Sequence, residues 1–300
     1  MRGLVALLGA SLLLASGGAP DRGRPLVVLV HGRGMLGQDS AANRRFWFHA
    51  LAAGGRTITS RGLMSESDLH VVWYADVLDP RSSDACDYAT TDRRARRERA
   101  EDPTVKDLFG AIGALLGALT FAVDDTVADV GLRSLAADAS FLSDVRKRCA
   151  AEARLERELD RARAAGRPII LVAHSLGSLI AYDLLSSRSD TGLVRRFVTM
   201  GSPIGSGDLR RLLIGGDETD TLAMPRAVDD WVNVRNDGDL FATSLPLGRE
   251  VVEVPPADEP DPHEMVAYLR SSTAAREILG AWCAAFSTGR PPGCKDIASN

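Results

Sequence analysis

Residues Ala173-His174-Ser175-Leu176-Gly177 lie between an apolar run, Ile169 to Val172, and an apolar helical pattern, Ser178 to Leu185. A serine at such a strand-turn-helix junction is placed to act as a nucleophile. The turn is so sharp that the residues two before and two after the serine must be small, and here they are Ala173 and Gly177. The same turn sets the hydroxyl at a helix N-terminus, where the backbone N–H of Leu176 points toward an oxyanion formed on a bound ester.

A serine nucleophile needs a base within hydrogen-bond reach and an acid that holds the base in the right tautomer. The chain has five histidines. His31 directly follows an apolar run, His49 lies in a helical pattern and His70 opens an apolar run. His174 is expected to be turned away by the elbow itself. That leaves His263, on a Pro-flanked loop after the last strand-like run, where a base can swing over the carboxyl ends of the strands. The acid is expected between serine and histidine in chain order. Asn236-Asp237-Gly238 reads as a turn, so Asp239 is the preferred acid and Asp237 the alternative.

The second oxyanion donor is expected from Val27-Val28-Leu29-Val30-His31-Gly32-Arg33-Gly34, a strand running into a glycine-rich turn. Its backbone N–H groups can aim at the same point as that of Leu176. The donor is assigned to Arg33, with Gly34 next in line, and His31 is read as fixing the turn. Gly-x-x-x-x-Gly-Lys is absent, which argues against a phosphate loop.

Elements that would position these residues are legible in the hydrophobic pattern. Runs at Leu26–Val30, His70–Ala75, Pro168–Ala173, Phe197–Met200, Asp230–Val234 and Glu250–Val254 read as strands buried on both faces. Helices are expected over Ala42–Ala53, Ala150–Ala165, Ser175–Ser186 and Pro262–Phe286. The alternation predicts an α/β fold, a doubly wound, mostly parallel sheet. With 45% hydrophobic and 25% charged residues, the composition suits one such domain with a large core.

Arg2 precedes an apolar stretch, Leu4 to Leu14, and then small residues, so residues 1–19 read as a secretory signal peptide, with an uncleaved membrane anchor as the alternative. The domain proper is then 20–300, and the protein is expected to be secreted or periplasmic. Without Arg2 the chain carries 35 Lys and Arg against 40 Asp and Glu, no reason to expect a nucleic-acid partner. Four cysteines fit export; Cys283 with Cys294 and Cys86 with Cys149 are the preferred pairs, buried free thiols the alternative. None has metal-ligand spacing with another Cys or His, so no metal is expected.

Residues 103–148 interrupt the strand-helix rhythm with a helical insertion, apolar from Leu108 to Val123. It reads either as a core helix hairpin or as a lid over the catalytic face that contacts a lipid or membrane surface. Asp107 and Asp124 bound too short an apolar stretch for a membrane span. The basic run Arg93–Arg99 reads as a solvated segment.

The His31-Gly32 turn, the Ala173–Gly177 elbow, the Asp239 loop and His263 together resemble the α/β-hydrolase superfamily, especially its lipase and esterase branch. Val30-His-Gly-Arg-Gly and Trp73-Tyr-Ala-Asp-Val-Leu are similar to poorly characterised bacterial members. The order Ser, Asp, His is that of the superfamily. Two features depart from it: the elbow begins with Ala, and the insertion matches no familiar cap. The resemblance implies ester hydrolysis through an acyl-enzyme on Ser175, with no cofactor and a small-molecule or lipid ester as substrate. An acyltransferase or thioesterase on the same residues, and a noncatalytic binding protein on a hydrolase fold, stand as the alternatives.

Overall fold

A computed structural model describes residues 22–79, 82–84, 86, 141, 144–206, 222–253 and 261–298. The signal-peptide reading of 1–19, the basic run Arg93–Arg99 and, within the insertion, residues 103–140, 142 and 143 lie outside the described residues. Six strands form one all-parallel sheet: β1 (Leu26–Val30), β2 (Leu69–Val72), β3 (Ile169–His174), β4 (Val194–Met200), β5 (Trp231–Asn236) and β6 (Arg249–Glu253), in the order β2-β1-β3-β4-β5-β6. Seven helices accompany them among the described residues: α1 (Ser40–Arg56), α2 (Ala75–Leu78), α3 (Val145–Ala164), α4 (Leu176–Ser187), α5 (Met265–Arg270), α6 (Ser272–Ala284) and α7 (Cys294–Ala298).

The continuous apolar runs arise because the sheet is covered on both faces. Along β1, Leu26, Val28 and Val30 join one core with Leu155, Leu159, Ile180 and Leu184 of α3 and α4. Val27 and Leu29 join the other, with Trp47 and Leu51 of α1 and Ile278 and Trp282 of α6. Strand β3 divides in the same way, Ile169, Leu171 and Ala173 to one face and Ile170 and Val172 to the other. Burying each such aliphatic side chain contributes about 1.5–3 kcal/mol. Two disulfides add covalent ties, Cys86–Cys149 and Cys283–Cys294, both as expected from the sequence.

Boundaries shift where side chains intervene. The strand expected over His70–Ala75 ends at Val72 because Tyr74 leaves the sheet to serve β1. Its N–H donates to His31 Nε2 at 3.3 Å and its hydroxyl to the His31 carbonyl at 2.7 Å. The single helix expected over Pro262–Phe286 starts at Met265 and breaks at Ser271, whose φ of −69° and ψ of 143° are extended. Ser271 ends α5 and caps α6, its hydroxyl accepting from the Ala274 N–H at 3.0 Å. Asp39 and Asp144 likewise cap α1 and α3 and start them before the apolar pattern does.

The chain passes from β1 outward to β2 and returns to place β3 on β1's other side, so connections leave β1 and β3 in opposite directions. A crevice at the carboxyl ends of these strands is where such a sheet accommodates a ligand. Gly32 follows β1 there, and Ser175 follows β3.

Candidate active site

Ser175 is the one non-glycine residue with positive φ among the described residues, at φ 50° and ψ −125°. Such a conformation costs about 1–3 kcal/mol and persists only where its surroundings enforce it. Enforcement comes from several sides. The Ser175 N–H donates to the Met200 carbonyl at 3.0 Å, and its own carbonyl accepts from the Ser178 N–H at 2.9 Å and the Ser178 hydroxyl at 2.5 Å. The Ser178 and Ser202 hydroxyls are 2.7 Å apart, fastening the first turn of α4 to the end of β4. Gly177 lies so close to β1 that a Cβ would sit 2.4 Å from the His31 carbonyl oxygen and 2.6 Å from that of Val30. Only glycine lets the helix start there.

His263 Nε2 is 3.0 Å from Ser175 Oγ, and His263 Nδ1 is 2.9 Å from each oxygen of Asp239. The three side chains therefore stand in the sequence hydroxyl, imidazole, carboxylate, at hydrogen-bond distance throughout. Asp239 has a fully buried carboxylate, against 15% exposure for the His263 side chain. Burial works to raise the Asp239 pKa, but the hydrogen bond and charge of His263, the Tyr268 hydroxyl at 2.7 Å and the Phe241 N–H at 2.9 Å hold it below the ordinary aspartate value. It is thus a carboxylate able to favour the Nδ1–H tautomer and a positive imidazolium.

Asp237, the alternative acid, is not brought to this cluster. It is 73% exposed on the turn after β5 and pairs with Arg235. The Gly238 N–H donates to Asn236 Oδ1 at 2.9 Å, closing that turn and carrying Asp239 inward.

On the other side of the serine, Gly32 packs so tightly that a Cβ there would be 3.1 Å from Ser175 Cβ. This sets the turn after β1 beside the nucleophile, while Leu176 opens α4. The Arg33 guanidinium lies 4.5 Å from the centre of the Phe241 ring, which is itself 4.6 Å from that of His263. His31 fixes the turn: its Nδ1 donates to the Gly32 carbonyl at 2.6 Å, and its ring stacks on Tyr74 at 4.1 Å. Burial pushes its pKa down to about 4, with only the Gly32 carbonyl opposing, so the ring is neutral at pH 7.

Three contributors escaped the sequence reading. Tyr268 lies inside the helix expected over Pro262–Phe286 with nothing to single it out, although its hydroxyl ends on Asp239. Phe241, three residues beyond Gly238, gave no signal at all. His174 was expected to be turned away, yet its Nε2 is 2.7 Å from the His263 carbonyl oxygen. Among the described residues, no three His, Cys, Asp or Glu side chains gather as metal ligands.

An all-parallel, helix-covered sheet with its serine elbow at the switch point is an α/β-hydrolase-type architecture. Residues 153–247, 95 of the 300, match the family model of lecithin:cholesterol acyltransferase, a family of α/β-hydrolase-type lipases and acyltransferases. The matched segment runs from α3 through Ser175 to just beyond Asp239. The superfamily is thereby supported, and the match points to an enzyme acting on lipid esters. No curated protein matches the chain. Two disulfides suit an oxidising compartment, and no helix among the described residues is long and apolar enough to cross a membrane.

Proposed function

We propose that the protein is a serine hydrolase that cleaves carboxylic esters, with Ser175 as nucleophile, His263 as base and Asp239 as the acid that orients it. The observation that carries this reading is the unbroken contact from Ser175 Oγ through His263 to Asp239, at 3.0 and 2.9 Å. His263 Nε2 takes the serine proton as Oγ attacks the acyl carbonyl, and Asp239 stabilises the resulting imidazolium. The Leu176 and Arg33 amides hold the oxyanion. His263 then protonates the leaving alcohol, and water, deprotonated by the same imidazole, releases the acid and restores Ser175. No cofactor enters this scheme.

The substrate class is a lipid ester, a choice supported by the family match. The enzyme is read as secreted or periplasmic after loss of residues 1–19, with 20–300 as its single domain and 103–148 as the segment that contacts lipid. That match also favours a second reading, in which an acceptor alcohol rather than water resolves the acyl-enzyme. Fluorophosphonate labelling, with a p-nitrophenyl ester series of increasing chain length, tests the proposal. Wild type is expected to label and turn over, and Ser175→Ala to do neither. Full esterase activity in Ser175→Ala overturns it. Adding long-chain alcohols and analysing products separates hydrolysis from acyl transfer.

A further inference from the structure

We infer that His174 is a positioning residue, which ties the backbone of the nucleophile to the backbone of the base through the hydrogen bond from its Nε2–H to the His263 carbonyl. This rests on the proposed roles of Ser175 and His263.

The distance between Ser175 Oγ and His263 Nε2 is set by two segments that are far apart in sequence: the elbow after β3 and the turn before α5. Each must be held relative to the other. Among the described residues, two side chains reach the carbonyls of the His263 turn from outside it. Asn236 Nδ2 approaches the Pro262 carbonyl oxygen at 3.4 Å, a marginal contact. His174 Nε2 lies 2.7 Å from the His263 carbonyl oxygen, a short and well-formed one. Because His174 is covalently joined to Ser175, this bond leaves one residue of chain between the nucleophile and the anchor point of its base.

The surroundings fix the imidazole in this use. Its Nε2 faces a carbonyl oxygen, which can only accept, so Nε2 carries the proton and donates it, while Nδ1 is buried without a hydrogen-bond partner and nothing rewards the reversed ring. Nδ1 faces Gly32, where a Cβ would come within 2.6 Å, and Nε2 passes Gly201, where a Cβ would come within 3.2 Å. Two glycines, one after β1 and one after β4, thus leave a slot for the ring. The rings of His263 and Tyr268 close it at 5.0 and 5.8 Å. Burial, aided by the nearby His263, pushes the pKa of His174 down to about 3, so it does not compete with His263 for protons. An orphaned nitrogen is costly inside a protein, and a leucine would fill the slot without one. What leucine lacks is the donor.

The test compares wild type, His174→Leu and His174→Gln, whose amide nitrogen reaches about as far as imidazole Nε2. The readouts are fluorophosphonate inactivation rates, kcat and KM on a p-nitrophenyl ester, and melting curves. The leucine variant is expected to lose about 10- to 100-fold in labelling rate and kcat, the scale of a misplaced catalytic group, with KM little changed. The glutamine variant is expected to recover most of that loss. A leucine variant as fast as wild type, or a folded glutamine variant as slow as leucine, overturns the inference. Should the leucine variant fail to fold, His174→Asn replaces it: an amide too short to reach must be slow where glutamine is fast, and equal rates refute the tie. Absence of labelling in wild type would instead refute the proposed roles of Ser175 and His263.

Discussion

Replacing Asp239 with asparagine probes the relay at its most constrained point. Oδ1 accepts from the Phe241 N–H at 2.9 Å, a donor that cannot reverse, so the asparagine oxygen must occupy that site. The amide NH2 is then forced into the place of Oδ2, against the Tyr268 hydroxyl, which can rotate to accept. Both positions are 2.9 Å from His263 Nδ1. The imidazole therefore meets an acceptor and a donor at once. Where it accepts from the amide, its proton moves to Nε2, and Ser175 Oγ faces an N–H that cannot take its proton. Where it keeps Nδ1–H, it still lacks a negative charge to stabilise imidazolium. Wrong tautomer and lost charge together predict a fall in kcat/KM of about 10²- to 10⁴-fold, or about 3–5 kcal/mol. Stability should change by only about 1 kcal/mol, since the Phe241 and Tyr268 contacts survive. Steady-state ester hydrolysis and fluorophosphonate inactivation measure the first, and a urea melt the second. A correctly folded Asp239→Asn enzyme within about threefold of wild type would refute the reasoning.

Asp237→Ala should leave ester hydrolysis within about twofold, because an exposed pair with Arg235 contributes little; a loss like that of Asp239→Asn would exchange the roles of the two aspartates. Gly177→Ala drives a methyl group into the carbonyls of Val30 and His31, and is expected to cost about 3 kcal/mol or more in a denaturant melt. Asp68 accepts from both Arg24 nitrogens at 2.5 Å and from the Ser65 N–H at 2.8 Å. Burial opposes its charge, but these bonds outweigh burial and hold its pKa below the usual 3.8. The stabilisation is therefore present above that value and lost as pH falls through the lower, folded one. Asp68→Asn should cost about 2 kcal/mol at pH 7, and the gap from wild type should narrow as pH falls through the lowered, folded-state pKa in paired urea melts. Breaking Cys86–Cys149, which spans 63 residues, should lower stability by about 4 kcal/mol, against about 3 for Cys283–Cys294, which spans 11, measured by melting the paired Cys→Ser variants.

The elements legible in the sequence are those whose period is imposed by burial. Strand β1 matches the apolar run Leu26–Val30 residue for residue, since both faces of a central strand must be apolar. The elbow is legible for a different reason: steric limits on residues 173 and 177 leave a mark in residue type. The break at Ser271 is not, because the apolar spacing of Met265 to Trp282 continues through it while one cap hydroxyl redirects the backbone. Side-chain direction is the least legible. Tyr268 and His174 carry polar atoms on otherwise core-like side chains, and only the packed structure shows that those atoms end on Asp239 and on the His263 carbonyl.

The disulfide from Cys86 to Cys149 brings its two Cα atoms within 5.6 Å, although 63 positions separate them along the chain. Seen from the sheet, the chain departs and re-enters at a single address. Phe141 and Arg148, both buried, lie inside that interval, so its last residues belong to the core, and a change of chain length earlier in it is absorbed before α3 without shifting the register of β3. The crosslink thus makes the start of α3 a fixed re-entry point, so that the helix covering β1 and β3 keeps its place whatever the length of chain that leads to it.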